Sequence, residues 1–370
     1  MTKRTNVRGS SFAIRGSATT LTENFMVERL IAQLAHVEVI TPKPELSAAF
    51  FKNVLGLEES GGAGQSVYFR GWGEFFHHSL QLTEGPAPVI AHTGWRTEGP
   101  KELELCVKRL EACGAGIGWQ KPVTGHGAAY RFHSPGGQLH EVFWESERYR
   151  PPAELAPRVP NRPQRYITRG AGARRIDHVT FNTDDPFRDA NWFAETLGFR
   201  FMEFAKLDHA DIVVTAFVSS TPMSHDLGLV LDAVDRTGKL SGIRGRANHV
   251  AFWVDSREDV LRTADLYREA GLEIEYGPGK HGVGENLFLY VREPGGMRVE
   301  LFSGGYMLYA PDIFPFEWKV SQGSLNAWNP NAMIPDGYLF DAFPPLAPAA
   351  HKEPVLAGTT ECKRPVLDKK

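Results

Sequence analysis

His281, Tyr290 and Glu300 sit at a spacing that can do chemistry. Gly279-Lys280-His281 is followed by Leu289-Tyr290, then Glu293-Pro294-Gly295-Gly296, then Glu300. The runs Phe288-Leu289-Tyr290-Val291 and Val299-Glu300-Leu301-Phe302 flank a Pro-Gly turn and read as a β-hairpin with Glu300 in its second arm. Upstream, His178 (Ile176-Asp177-His178-Val179-Thr180-Phe181) and His249 (Asn248-His249-Val250-Ala251-Phe252-Trp253) each open a short β-branched or aromatic run. One strand glutamate alone is an ordinary solvated group, and one histidine at a strand start an ordinary hydrogen-bonding residue. Two histidines, each followed by Val-X-Phe and both preceding the Glu300 hairpin, are a different matter. They supply the two imidazoles and one carboxylate of a facial non-haem metal site, which leaves positions open for substrate and oxygen.

The run from Gly279 to Glu300 resembles the signature of the type I extradiol ring-cleavage dioxygenases of the vicinal oxygen chelate superfamily, the group of catechol and homoprotocatechuate 2,3-dioxygenases. The likeness covers roughly residues 31–320 and is strongest after Arg175. It implies that His178, His249 and Glu300 bind Fe(II), with Mn(II) the alternative. It also implies that His225, in Ser224-His225-Asp226-Leu227, is an acid/base histidine, and that His281 and Tyr290 hydrogen-bond to the substrate and its oxygenated form. The implied reaction is cleavage of a catechol ring beside its two hydroxyls, with both atoms of O2 entering a muconic semialdehyde-type product. His225 fits its role, because imidazole titrates near neutrality. Homoprotocatechuate enzymes carry an arginine five residues before the histidine that His281 matches, and here that position is Tyr276. A phenol cannot replace a guanidinium fork toward a carboxylate. The expected substrates are therefore uncharged catechols, plain or alkyl-substituted.

Those residues need strands to present them, and the chain repeats the necessary units. His36-Val37-Glu38-Val39 leads to a helical pattern ending at Gly56, and His178-Val179-Thr180-Phe181 to one ending at Gly198. Glycine suits the left-handed residue that closes a helix. Pro135-Gly136-Gly137 precedes Glu141 as Pro294-Gly295-Gly296 precedes Glu300. A second helix in the later half opens at Ser256 with Asp259 three residues on, a capping-box start, and stops at Gly271; its counterpart runs from near Pro100 to near Gly114. Strand–helix–strands units of this kind cannot bury both faces alone and must pair.

The expected fold is α+β, two domains each of paired βαβββ modules. The expected boundaries are an N-terminal extension (1–30), a non-catalytic domain (31–147), an exposed Pro/Arg/Gly-rich linker (148–175), a catalytic domain (176–310), and a C-terminal segment with a mobile tail (311–370). The aromatic stretch from Tyr306 to Phe343 is expected to wall the mouth of the site, and the long stretch after Asp232 to shift the pocket wall.

His36, His78, His92 and Glu141 occupy places matching His178, His225, His249 and Glu300. The resemblance nevertheless treats the first half as a remnant, and the short interval from His126 to Tyr130 does not repeat the full signature. Replacing His36 and His92 is thus expected to leave metal stoichiometry unchanged. His126, His133, His140, His209 and His351 are read as surface or locally hydrogen-bonding residues.

Composition narrows the class. A chain of 370 residues with 42% hydrophobic and 23% charged content is ordinary for a globular protein of two domains. A net charge of -3 gives no reason to expect nucleic acid or an acidic membrane surface. Three cysteines without a CxxC pair fit a reducing cytoplasm rather than a disulfide framework. The polar stretch to about Thr22 lacks the apolar region of a secretory signal, and no apolar run reaches membrane-spanning length. The resemblance adds a homo-oligomer, a tetramer first. Two other readings remain: an enzyme like 4-hydroxyphenylpyruvate dioxygenase, against which His225 and the complete His281–Glu300 run argue, and a metal-free binding protein of the same fold, which would lack the triad.

Overall fold

The computed structural model describes residues 28–166 and 169–346. The N-terminal extension up to residue 27, His351, Cys362 and the tail from 347 lie outside the described residues.

Two mixed sheets are built on one plan. The first holds β1 (Ile31–Thr41), β2 (Glu58–Ala63), β3 (Ser66–Arg70), β4 (Leu80–Glu84), β5 (Val89–Thr97), β6 (Gly116–Gln120), β7 (Ala129–His133) and β8 (Leu139–Phe143), in the order β2-β3-β4-β1-β5-β8-β7-β6. The second holds β9 (Arg175–Thr183), β10 (Arg200–Lys206), β11 (Val213–Ser219), β12 (Leu227–Leu231), β13 (Ala247–Trp253), β14 (Ile274–Lys280), β15 (Asn286–Arg292), β16 (Arg298–Gly304) and β17 (Phe316–Lys319), in the order β14-β15-β16-β13-β9-β12-β11-β10-β17. Within each module the first strand runs parallel to the fourth, and in each sheet the two first strands pair antiparallel at the centre. This is the paired βαβββ architecture; β17 is an addition, parallel to β10 at the sheet edge.

The helices end where the sequence says they should. In α3 (Pro186–Leu197) the Asp185 side chain accepts from Arg188 N at 2.9 Å, and Gly198 closes the helix at φ 72°. In α4 (Arg257–Glu269) Ser256 and Asp259 form the reciprocal capping box. α1 (Pro44–Ala49) runs into a π-helical turn, Phe50–Val54, while α2 (Pro100–Ala112) stops before Gly114. Buried faces of both halves merge into one core: Phe51 of the first half lies 6.1 Å from Phe252 of the second, ring centre to ring centre.

The linker is less exposed than its composition suggests. Residues Ala171 and Ala173 are buried, their N–H groups bonded to Val54 O (2.8 Å) and Leu55 O (3.1 Å). Small side chains let this segment lie flat against the end of the π-helical turn. The Pro-Gly-Gly turns cross between halves. Gly136 O accepts from Gly245 N at 2.7 Å, and a side chain at 136 would meet Asp189. Reciprocally, a Cβ at Gly295 would lie 2.1 Å from Thr41 Oγ1 and 2.6 Å from Ser47 Oγ.

Candidate metal centre and catalytic pocket

β9, β13 and β16 bring the predicted triad together. His178 Nε2 and His249 Nε2 are 3.0 Å apart, and Glu300 Oε2 lies 3.0 Å from the first and 3.1 Å from the second. All three side chains are buried. Each imidazole is held by the residue before it: His178 Nδ1 donates to Asp177 Oδ2 (2.9 Å) and His249 Nδ1 to Asn248 Oδ1 (2.8 Å). That leaves both Nε2 lone pairs facing the carboxylate, the outer-shell arrangement that fixes metal-binding histidines.

Charge in the triad is strongly redistributed. Burial opposes a charge on His178, yet Glu300 and Asp177 outweigh it and lift its pKa to about 9. His249 falls to about 4, because burial outweighs the pull of Glu300. Burial alone would raise Glu300; the two imidazoles hold it well below the usual carboxylate range. Three donors that share one proton so tightly would share a divalent cation in its place. The donor set suits the ion: two imidazoles and one carboxylate converging within about 3 Å fit a facial site for a first-row metal.

The other predicted residues surround this point. His225 is buried, its ring 4.4 Å from that of His178, and burial followed by the charge of His178 holds its pKa well below normal. It is therefore a neutral imidazole, its basicity weakened by burial. His281 Nδ1 donates to Leu325 O (2.6 Å), which turns Nε2 toward the Tyr290 hydroxyl at 3.1 Å. Tyr290 pairs across the hairpin with Glu300, and burial followed by that carboxylate raises its phenol well above the usual range. It therefore acts as a hydrogen-bond donor. His178, His225, His249, His281, Tyr290 and Glu300 all line one cavity of ≈ 380 Å³. The loop after Asp232 contributes Ala233, Asp235, Arg236 and Gly238 to its wall, and the C-terminal segment contributes Ile334, Tyr338, Leu339 and Phe340.

Several contributors were not singled out in the sequence. Asp177 and Asn248 are the plainest, since each directly precedes a histidine of the triad and hydrogen-bonds to it, and that adjacency was available as a signal. Asn286 Nδ2 approaches Glu300 Oε1 at 3.5 Å. Arg298, fully buried, donates to Asn248 Oδ1 (3.0 Å), to Glu275 and to Gly337 O (2.8 Å), so it ties the orienter of His249 to α5 (Asp336–Phe340). Glu203 accepts from Gly284 N (2.6 Å), Trp318 Nε1 (2.8 Å) and Tyr306 Oη (3.1 Å), bracing the loop after His281. Nothing in sequence spacing announces these partners, which come from distant strands. Among the histidines read as surface or local, His209 is exposed. His140 is buried, accepting from Trp95 Nε1 at 3.2 Å. His126 is also buried and makes the local kind of bond, Nδ1 to Gly127 O at 2.9 Å, while its connection folds inward over Glu141.

The architecture and this buried triad define a metal-dependent enzyme of the vicinal oxygen chelate type, and residues 175–301 match the family model of the Glyoxalase/Bleomycin resistance protein/Dioxygenase superfamily. The chain is 36% identical over 318 residues to the manganese-dependent 2,3-dihydroxybiphenyl 1,2-dioxygenase of Geobacillus genomosp. 3, an alignment covering 84% of this chain and 98% of the relative. It is 35% identical over 311 residues to the metapyrocatechase of Geobacillus stearothermophilus (83% and 92% covered). The structure of homoprotocatechuate 2,3-dioxygenase from Arthrobacter globiformis superposes with a TM-score of 0.73 at 26% identity, covering 85% of this chain and 92% of that one. The chain belongs to the extradiol dioxygenases of this superfamily. It is a ring-cleaving dioxygenase that uses a divalent metal.

Proposed function

We propose that this enzyme cleaves uncharged catechols carrying an apolar substituent, beside rather than between the hydroxyls, with His178, His249 and Glu300 as metal ligands. The observation that carries the substrate class is the cavity wall. Val214, Val230, Leu231, Leu325, Ile334 and Leu339 line it, and its ≈ 380 Å³ exceeds what a bare catechol fills. Arg236 is the one lysine or arginine among its described lining residues, and it is already paired with Asp336. Tyr276, where an arginine would anchor a carboxylate, packs its ring 4.7 Å from Phe288 and 4.7 Å from Tyr338. The relative named for a dihydroxybiphenyl, a catechol with an aryl group, points the same way.

When bound, the divalent ion supplies adjacent open positions for catechol and O2 and lowers the phenol pKa. The remaining work falls to side chains. His225, neutral at the start, accepts a proton released by the catechol and later returns it. Tyr290 donates a hydrogen bond to an oxygen of the bound ring and His281 Nε2, its Nδ1–H already given to Leu325 O, accepts one from a ring hydroxyl, together holding the ring against the triad. Asp177 and Asn248 keep both imidazoles in the metal-binding tautomer. The apolar wall excludes water, which strengthens each of these interactions.

The proposed division of labour keeps the expected boundaries: a non-catalytic half at 31–147 and a catalytic half at 176–310, with the later segment as wall. A cytoplasmic homo-oligomer is the setting proposed; among the described residues no helix is long and apolar enough to cross a membrane. Steady-state rates on catechol, 3-methylcatechol, 2,3-dihydroxybiphenyl and homoprotocatechuate test the substrate class. The uncharged substituted catechols are expected to lead homoprotocatechuate by about 10–100-fold in kcat/KM, the worth of one charged hydrogen bond not made. A lead for homoprotocatechuate would overturn the proposal.

A further inference from the structure

The first half repeats the metal centre in register. His36 precedes Val37, which pairs with Leu80 and Thr93; His178 precedes Val179, which pairs with Leu227 and Val250. His92 and His249 each lie two residues before the partner of a glutamate, Gly94 opposite Glu141 and Ala251 opposite Glu300. A fourth group joins them: His126, from the connection between β6 and β7.

The donor atoms converge. His36 Nε2 lies 3.1 Å from His92 Nε2 and 3.4 Å from Glu141 Oε1; that oxygen is 3.5 Å from His92 Nε2 and 3.3 Å from His126 Nε2. Ligands at metal bonds of ~2.05 Å in a tetrahedron would stand ~3.3 Å apart, close to these separations. His36, His126 and Glu141 form the tight cluster, their donor atoms all within 4.8 Å of one another, and His92 adjoins it through His36 and Glu141. All four side chains are buried, and Glu141 Oε1, the atom at their meeting point, accepts no hydrogen bond. A buried carboxylate oxygen facing three imidazole nitrogens without a hydrogen bond is costly unless a proton or a metal cation is shared among them.

The supporting contacts are those of a built site. His92 Nδ1 donates to Glu38 Oε2 (2.8 Å) and His126 Nδ1 to Gly127 O (2.9 Å), each turning Nε2 inward. Glu141 Oε2 accepts from Arg131 Nε at 3.2 Å. Gly94 makes room for His36, whose ring would lie 2.2 Å from any Cβ at that position. The space beside these rings is ≈ 10 Å³, about one water-sized sphere. No organic substrate enters it.

We propose that His36, His92, His126 and Glu141 bind a second divalent metal of the zinc class, closed to substrate and structural, clamping the two modules of the first half together. Full coordination by protein and the lack of a cavity separate this role from that of the catalytic centre. The resemblance to the family implies a metal-free first half; the proposal departs from that implication on the convergence of these donors.

The test uses the full chain. Glu300→Ala, dialysed against chelating resin and titrated with Zn(II) or Co(II), is expected to retain one equivalent. Its Co(II) form should show the intense visible absorption of tetrahedral Co(II) rather than the weak bands of a six-coordinate ion. Glu141→Gln, nearly isosteric, should retain only the catalytic ion, and the double variant neither. Chelator should lower the melting temperature of Glu300→Ala and leave that of the double variant unchanged. Absence of metal from Glu300→Ala, a six-coordinate spectrum, or full retention by the double variant would each overturn the proposal. Because Glu141→Gln is assayed separately for catalytic metal, failure here is distinguishable from an error in the catalytic ligands.

Discussion

The two halves present one strand plan and two different chemistries. Opposite Glu300 stands Tyr290, a neutral donor with its hydroxyl toward a cavity; opposite Glu141 stands Arg131, a fixed cation that neutralises the carboxylate from behind. His281 Nε2 meets Tyr290 at 3.1 Å, whereas His126 Nε2 reaches Glu141 Oε1 at 3.3 Å. The cavity of ≈ 380 Å³ in one half has a counterpart of ≈ 10 Å³ in the other. Under the proposed assignments, duplication of the strand plan does not duplicate the reaction. What decides is whether the fourth direction from the ligands opens on space or closes on another side chain.

The largest effect expected on this comparison comes from Glu300→Ala. Oxygen uptake with catechol should fall to background while the protein stays folded, with the catalytic ion lost; full activity would remove the asymmetry between halves altogether. Next in size is His225→Phe. With catechol affinity and metal content nearly unchanged, turnover should slow by about two to four orders of magnitude, the range for general acid–base work. The matching change His78→Phe in the first half should leave turnover within about twofold. Equal losses from the two would mean that the halves cooperate in catalysis.

The smallest effect concerns stability. Burial pushes Glu203 up to about 7, against three hydrogen bonds that favour its charged form. A carboxyl whose folded pKa is raised binds protons more tightly when folded. Its contribution is complete below the unfolded value of 4.5 and is lost as pH rises through about 7. Glu203→Gln should flatten the decline of melting temperature across that window, a change of ~3 kcal/mol at most. An unaltered pH profile would show that another group sets it.

Much of this was legible beforehand, for identifiable reasons. Helix ends were marked by chemistry that acts locally: Ser256 with Asp259, and Gly198 where a left-handed residue is needed. The proposed ligands could be picked out because His178 and His249 share a Val-X-Phe context and Glu300 follows a Pro-Gly-Gly turn, and the structure brings the three together. What escaped was assembled across long stretches of chain. Arg298 meets Asn248 and Gly337, and Glu203 meets Gly284, Tyr306 and Trp318, pairings that no periodicity encodes. His126 escaped because it lies in an irregular connection, where position follows packing rather than spacing. The linker misled through composition: its proline, arginine and glycine signalled exposure, while the small side chains of residues 171–173 allowed that stretch to be buried.

The crossed Pro-Gly-Gly turns carry a consequence for how the molecule comes apart. Each half lends its turn to the other: Gly136 beside Asp189 and Gly245, Gly295 beside Thr41 and Ser47. Neither half can leave without uncovering the seat it occupied. Heating should accordingly give one calorimetric transition rather than two, and a backbone nick in the connector should yield fragments that remain associated and are recovered together.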